Sequence, residues 1–308
     1  MERRRESIDE IIASILDHVV PAMLNVDWRT HHLAQSFGWR DSNRTVDAGF
    51  DIQHVAQWSP GERVDDIASA ATGWTELLTT VYQDQTPLDI IVIADASPTL
   101  AFGTERTSKS ILSAEIQTGI FVAAEQRGDN IGSMVYSDAR LEWRMLTQPA
   151  SMESLQEGLW LYLSTSAPPS SATPVAESGL MLALANVPSN GRALVFVLSD
   201  FANLSQGDMD ALLHTASMHD VCCVMLEDRR EEELPSGSGV RQLRDLRTGA
   251  TSVVSLTEQG RKRWREEYRR HKDQVLKQLT DSCGCTVWTF RTGDDPAEAL
   301  AMLLAGAS

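Results

Sequence analysis

Positive charge is scarce in this chain: 27 Lys and Arg stand against 43 Asp and Glu among 308 residues, a formal charge of −16. That balance excludes a general attraction to nucleic acid or to an anionic membrane surface, both of which reward basic patches. Long apolar runs are missing too, with no stretch of about twenty such residues. The earliest candidate, IIASILDHVVPAML, carries Asp17 and His18 and reads as neither a signal core nor a span. A soluble, cytoplasmic chain without membrane insertion is expected. Cysteine is limited to four residues. Cys222 and Cys223 sit inside the apolar run DVCCVML, and Cys283-Gly284-Cys285 is spaced too tightly for half a zinc knuckle. Reduced thiols buried in a core are therefore expected.

Catalytic signatures are equally absent. There is no Walker A loop, no Gly-x-Ser-x-Gly elbow and no His-Glu-x-x-His. The seven histidines are scattered, with His31-His32 their one adjacent pair. A Ser97 nucleophile would need a base, and none is placed by the sequence.

What the chain does have is a 42% apolar content and a regular second half. The first 88 residues are heterogeneous: an amphipathic helix candidate, then a polar segment holding Trp28, Trp39, Trp58 and Trp74. So many large rings call for burial, so residues 1–86 read as an N-terminal extension packed on a main body of residues 87–308. From Leu88 onward, strands are expected at Asp89–Asp95, Asn130–Ser137, Ala193–Ser199, Val221–Leu226 and Thr286–Arg291, with Arg140–Leu146 as a hairpin partner. Helices are expected at Thr107–Arg127, Met152–Leu163, Val175–Val187, Gln206–His219, Glu258–Asp281 and Pro296–Leu304. The first should bury a face of Ile111, Ala114, Thr118, Phe121 and Val122. A hairpin near 240–255 interrupts the alternation, turning at Thr248-Gly249. Continuous apolar strands alternating with helices predict an α/β fold with a doubly wound, mainly parallel sheet, of Rossmann type.

In such sheets ligands gather beyond the carboxyl ends of the strands. The stretch IVIADASPTLAFG puts Asp95, Ser97 and Thr99 just past one buried strand, and ALVFVLSD puts Ser199 and Asp200 at the end of another. Thr173, in the polar run before a helix, could add a hydroxyl. Oxygen ligands of this kind suit a hard cation, Mg2+ first and Mn2+ or Ca2+ as substitutes. The plainer alternative is that these residues cap helices and make side-chain turns.

These stretches resemble a known family. Asp-x-Ser-x-Thr after a strand is similar to the opening of von Willebrand factor A domains, whose metal-ion-dependent adhesion site uses that motif. More narrowly, GFDIQHVAQWSPGERVDDIASAA, SKSILSAEIQTGIFVAAEQRGDNIGSMVYSD, ALVFVLSDF, LEDRREEELPSGSGVRQLRDLRTG and TFRTGDDPAEALAMLL follow in the order of the bacterial domain-of-unknown-function family 58. The likeness covers about Phe50 to the C-terminus. It implies a von Willebrand A-like fold for residues 87–308 and a metal site at Asp95, Ser97, Thr99, Thr173 and Asp200. It further implies a non-enzymatic adaptor acting with a MoxR-type AAA+ ATPase in maturing or activating a client protein complex, such as methanol dehydrogenase or a similar metalloenzyme. The chain departs from the pattern at Pro98, at Pro174 and at DDIASAATGW, which lacks an arginine. Two alternatives use the same residues: a metal-dependent hydrolase working through an activated water, or a structural subunit with a vestigial site. The run RKRWREEYRRHKD reads as the solvated face of an amphipathic helix, with docking to an acidic ATPase surface as its second reading.

Overall fold

In the computed structural model, residues 2–23, 52–57, 78–82, 87–165 and 178–300 are described, apart from 139, 190, 248 and 299. The chain divides into two compact units, one of Met1–Leu33 with Leu88–Ser308 and one of Ala34–Pro87. In the smaller unit, β1 (Ile52–Gln57) and β2 (Leu78–Tyr82) form an antiparallel pair. The four early tryptophans, Thr173 and the end of the expected last helix lie outside the described residues.

The larger unit is built on a six-stranded sheet. Its strands are β3 (Asp89–Asp95), β4 (Asn130–Ser137), β5 (Arg140–Pro149), β6 (Leu194–Ser199), β7 (Asp220–Glu227) and, last in the chain, the strand Thr286–Arg291. The spatial order runs from Thr286–Arg291 through β7, β6, β3 and β4 to β5. All neighbours are parallel except β4 and β5, which form an antiparallel hairpin. Strands β3, β6 and β7 are buried almost throughout because helices cover both faces, which is why their sequences run apolar without alternation. Edge strand β5 instead alternates between exposed and half-buried positions.

The helices fill the crossovers. They are α1 (Glu2–Met23), α2 (Lys109–Arg127), α3 (Met152–Thr165), α4 (Gly179–Ala185), α5 (Gln206–Met218), the single turn α6 (Arg229–Glu232) and α7 (Glu258–Lys277). Between α6 and α7 lies an exposed hairpin of β8 (Val240–Arg244) and β9 (Thr251–Ser255), so the closing strand of the sheet is β10. Ser108 caps α2 by accepting from the Ile111 N–H, and Gly128 ends it in the left-handed region at φ 73°. Helix α2 is buried from Leu112 to Ala124 on every side, not along the single expected face. The reason is α1, which packs on α2 and α3. Its buried Ile8, Ile12, Ile15, Val19 and Met23 recur at helical spacing along one stripe. At Gly119 an added Cβ would lie 2.7 Å from a terminal methyl of Leu300 and 3.6 Å from the Met23 sulfur, so a side chain there would push the end of Leu300 aside.

All four cysteines are buried and free. Cys223, Cys283 and Cys285 belong to the core on one face of the sheet, and burial pushes the Cys222 thiol well up. The long helix α7 ends at Lys277, short of the expected Asp281, and continues as a π-helical turn, Gln278–Ser282.

Candidate metal centre

The chain leaves β3 to the right, toward β4, and returns through β6 on the other side of β3. That reversal creates a crevice at the carboxyl ends of β3 and β6, where doubly wound sheets bind ligands. Asp95 is the last residue of β3, and Asp200 follows the last residue of β6.

Asp95 is 5% exposed and almost fully enclosed by donors. Its Oδ1 accepts from the Ser97 N–H at 2.8 Å and from the Ser97 hydroxyl, and its Oδ2 accepts from the Ser199 hydroxyl at 2.7 Å. Its backbone carbonyl accepts from the Tyr162 hydroxyl of α3 at 3.0 Å. The β3–β4 ladder runs on past it, Ala96 N–H donating to the Tyr136 carbonyl at 2.7 Å. Pro98 then opens a short 3-10 turn, Pro98–Ala101, that bends the chain away from the sheet.

Asp200 is held differently. Its Oδ2 accepts from the Lys109 ammonium at 2.8 Å, and its Oδ1 from the Ala202 N–H at 3.1 Å. The Thr99 hydroxyl lies near it and helps to keep it charged. Phe201, next in the chain, takes a left-handed backbone at φ 49°, the only non-glycine to do so among the described residues. Lys109 is the first residue of α2, wholly buried, and it also donates to Glu231 Oε1 of α6 at 2.6 Å.

The electrostatics follow from this wiring. Burial, and then the charge of Asp200, push the Asp95 carboxyl up from 3.8 to about 6, against the pull of its serine donors. Burial would also raise Asp200, but the Lys109 ammonium overcomes it and holds that carboxyl below its usual range. Burial opposes the ammonium in turn, and its two carboxylate partners more than offset the penalty. Glu231 is raised, chiefly by burial.

Of the residues expected from sequence, the fold brings Asp95, Ser97, Thr99 and Asp200 to one crevice; Thr173 lies outside the described residues. Among the described residues, no group of three or more His, Cys, Asp and Glu side chains could ligate a metal. A cation here would depend on two carboxylates and on hydroxyls. The donor set fits that demand. Ser97 and Ser199 each give their proton to Asp95, so their oxygens are left with lone pairs only, and the Ser199 oxygen already accepts from the Phe201 N–H at 3.1 Å. Of about four hydrogen bonds that a carboxylate can take, Asp95 accepts three and Asp200 two.

Sequence reasoning missed Lys109, Glu231 and Tyr162. A signal for the first was present: Lys109 shares a helical stripe with Leu112, Ile116 and Ile120, all buried. A lysine on an apolar stripe needs a buried anion.

The sequence matches the family described as protein of unknown function DUF58 over residues 55–274, and the chain belongs to that family. No curated protein matches it. Its fold is similar to that of BatB, a conserved hypothetical protein from Bacteroides thetaiotaomicron. The two share 15% identity over 71% of this chain and 100% of that one, with a TM-score of 0.43. It is also similar to a von Willebrand factor type A protein from Catenulispora acidiphila, at 12% identity over 74% of this chain and 43% of that one, with a TM-score of 0.39. A third likeness is to the SpRpn10 VWA domain, at 10% identity over 71% and 95%, with a TM-score of 0.34. Among the described residues, no helix is long and apolar enough to cross a membrane.

Proposed function

We propose that this member of the family is a non-enzymatic adaptor that binds a divalent cation at the β3–β6 crevice and a protein partner over it. The observation that carries the reading is the arrangement at Asp95: Ser97 and Ser199 both give their protons to this one carboxylate, which turns the Ser97 hydroxyl at the mouth of the crevice into an oxygen that can only accept. Asp95, Ser97, Thr99 and Asp200 would supply oxygen ligands, the two carboxylates also balancing the ion's charge. Thr173 is retained as a further ligand in this reading. When bound, Mg2+ would add a localised positive charge able to attract a partner's carboxylate.

The rest follows from the chain's own residues. Asp95 is fixed from three sides, by Ser97, Ser199 and the Tyr162 contact to its carbonyl, so the carboxylate is positioned before any ligand arrives. Among the described residues, no His, Cys or Lys nucleophile adjoins an unpaired base there, which favours binding over turnover. The resemblance read from the sequence makes a MoxR-type AAA+ ATPase the partner to try first, with the adaptor coupling it to maturation of a client complex.

Titration calorimetry with Mg2+ and Mn2+ tests the ion, and capture of a purified MoxR-type ATPase with and without chelator tests the partner. A saturable ion signal, lost in Asp95→Ala together with ATPase capture, is expected. Capture indifferent to both chelator and Asp95→Ala removes the site from partner binding. Ion-dependent hydrolysis of ester or phosphoester substrates, lost in the same variant, would move the reading to an enzyme.

A further inference from the structure

Lys109 does something that the ligand scheme above leaves unused. Its ammonium is 0% exposed, so no solvent can replace a lost partner. Among the described residues it is the only buried lysine or arginine, and its ammonium donates to Asp200 Oδ2 and Glu231 Oε1. A buried ammonium without an anion is strongly unfavourable, so these contacts are obligatory in sum. They are unequal in kind. Glu231 is pinned independently: its Oε2 accepts from the Asp228 N–H at 3.1 Å in a capping box, and its carbonyl accepts from the Trp264 indole at 2.8 Å. Asp200 is the carboxylate at the crevice.

Resting on the divalent-ion reading, we propose that Lys109 is a built-in rival of the ion: ammonium and ion compete for Asp200, and Glu231 is where the ammonium stays paired when the ion prevails. Lysine suits such a role, being a point charge with three donors on a flexible stem that can change partners without moving α2. Affinity for the ion is thereby set low, because the ion must displace or tolerate a like charge at close range. The Lys109–Glu231 bond also ties that exchange to α6, and through Trp264 to α7.

Mn2+ binding to the full chain, followed by calorimetry and by loss of the free-ion paramagnetic resonance signal, tests this. Lys109→Met is expected to bind Mn2+ at least about ten-fold more tightly than wild type, since one unit of repulsive charge is gone at short range. It should also melt lower in chelator and recover with Mn2+. Glu231→Gln should bind more weakly. The double variant should match Lys109→Met, because Glu231 acts through the ammonium; an unchanged Glu231 effect without Lys109 would refute the exchange. Should Lys109→Met not fold in chelator, Lys109→Gln, which retains a donor, is read the same way. Lys109 variants with unchanged or weaker affinity, alongside wild-type binding that still requires Asp95, overturn the rivalry and leave the ion site standing. Absence of binding in every protein overturns both.

Discussion

The ends of β3 and β6 carry the same side chain and treat it in opposite ways. At β3, Asp95 is surrounded by neutral donors, and its carboxyl is pushed up to about 6. At β6, Asp200 has an ammonium in contact and is held below its ordinary value. Burial works the same way on both, so the difference comes from the neighbour's charge. Hydroxyls can orient a carboxylate, but they do not neutralise it. One half of the crevice is balanced from within the chain, and the other half still has a use for positive charge.

The largest expected effect removes the unbalanced half. With Mg2+ at 100-fold over its dissociation constant, an ion site adds about 2.7 kcal/mol, which is about 5–10 °C in melting temperature for a domain of this size. Asp95→Asn should abolish that rise in a thermal scan, and a rise that persists would place the ion elsewhere.

A pH series in chelator sharpens the contrast. Folded Asp95 keeps its proton to about pH 6, whereas the unfolded chain releases it near 3.8. Between those values unfolding therefore releases a proton, so Asp95 makes stability fall as pH rises from about 4 to about 6 and contributes no further slope above. Asp200 has the opposite sign: its contribution is present above its unfolded value and is lost as pH falls through its lowered folded one. Subtracting the Asp95→Asn melting curve from wild type should isolate the falling slope; parallel curves would mean that Asp95 is not buried as a charge.

The smallest effect concerns support. Tyr162→Phe removes a hydroxyl that holds the Asp95 carbonyl and should cost about 1 kcal/mol, read as a lower urea midpoint, with little change at Asp200. Loss of ion binding on the same scale as Asp95→Asn would show that backbone placement, not charge, governs the β3 end.

Much of this was legible in the chain. Strands β3 and β4 begin and end where the apolar runs meet turn residues, because a strand covered on both faces leaves no polar alternation to blur its limits. Asp95 and Asp200 were visible for the same reason, as the first charges after such runs. The wiring between them was not. Lys109 finds its partners 91 and 122 residues downstream, and no local pattern reports a contact of that range. Glu231 hid in an acidic, turn-rich segment, where a carboxylate is ordinarily solvated. The apolar face expected for α2 was too narrow because the sequence near Lys109 says nothing of a second covering layer supplied by residues 2–23.

That covering layer has a practical meaning. A fragment trimmed to begin at β3 would lay bare the outer side of α2, including the notch at Gly119 where Met23 and Leu300 meet. Proteolytic removal of the leading helix should therefore yield a sticky, aggregating body rather than a tidy smaller domain. Residues 2–23 belong with the core they shield, however far from β3 they stand in the text.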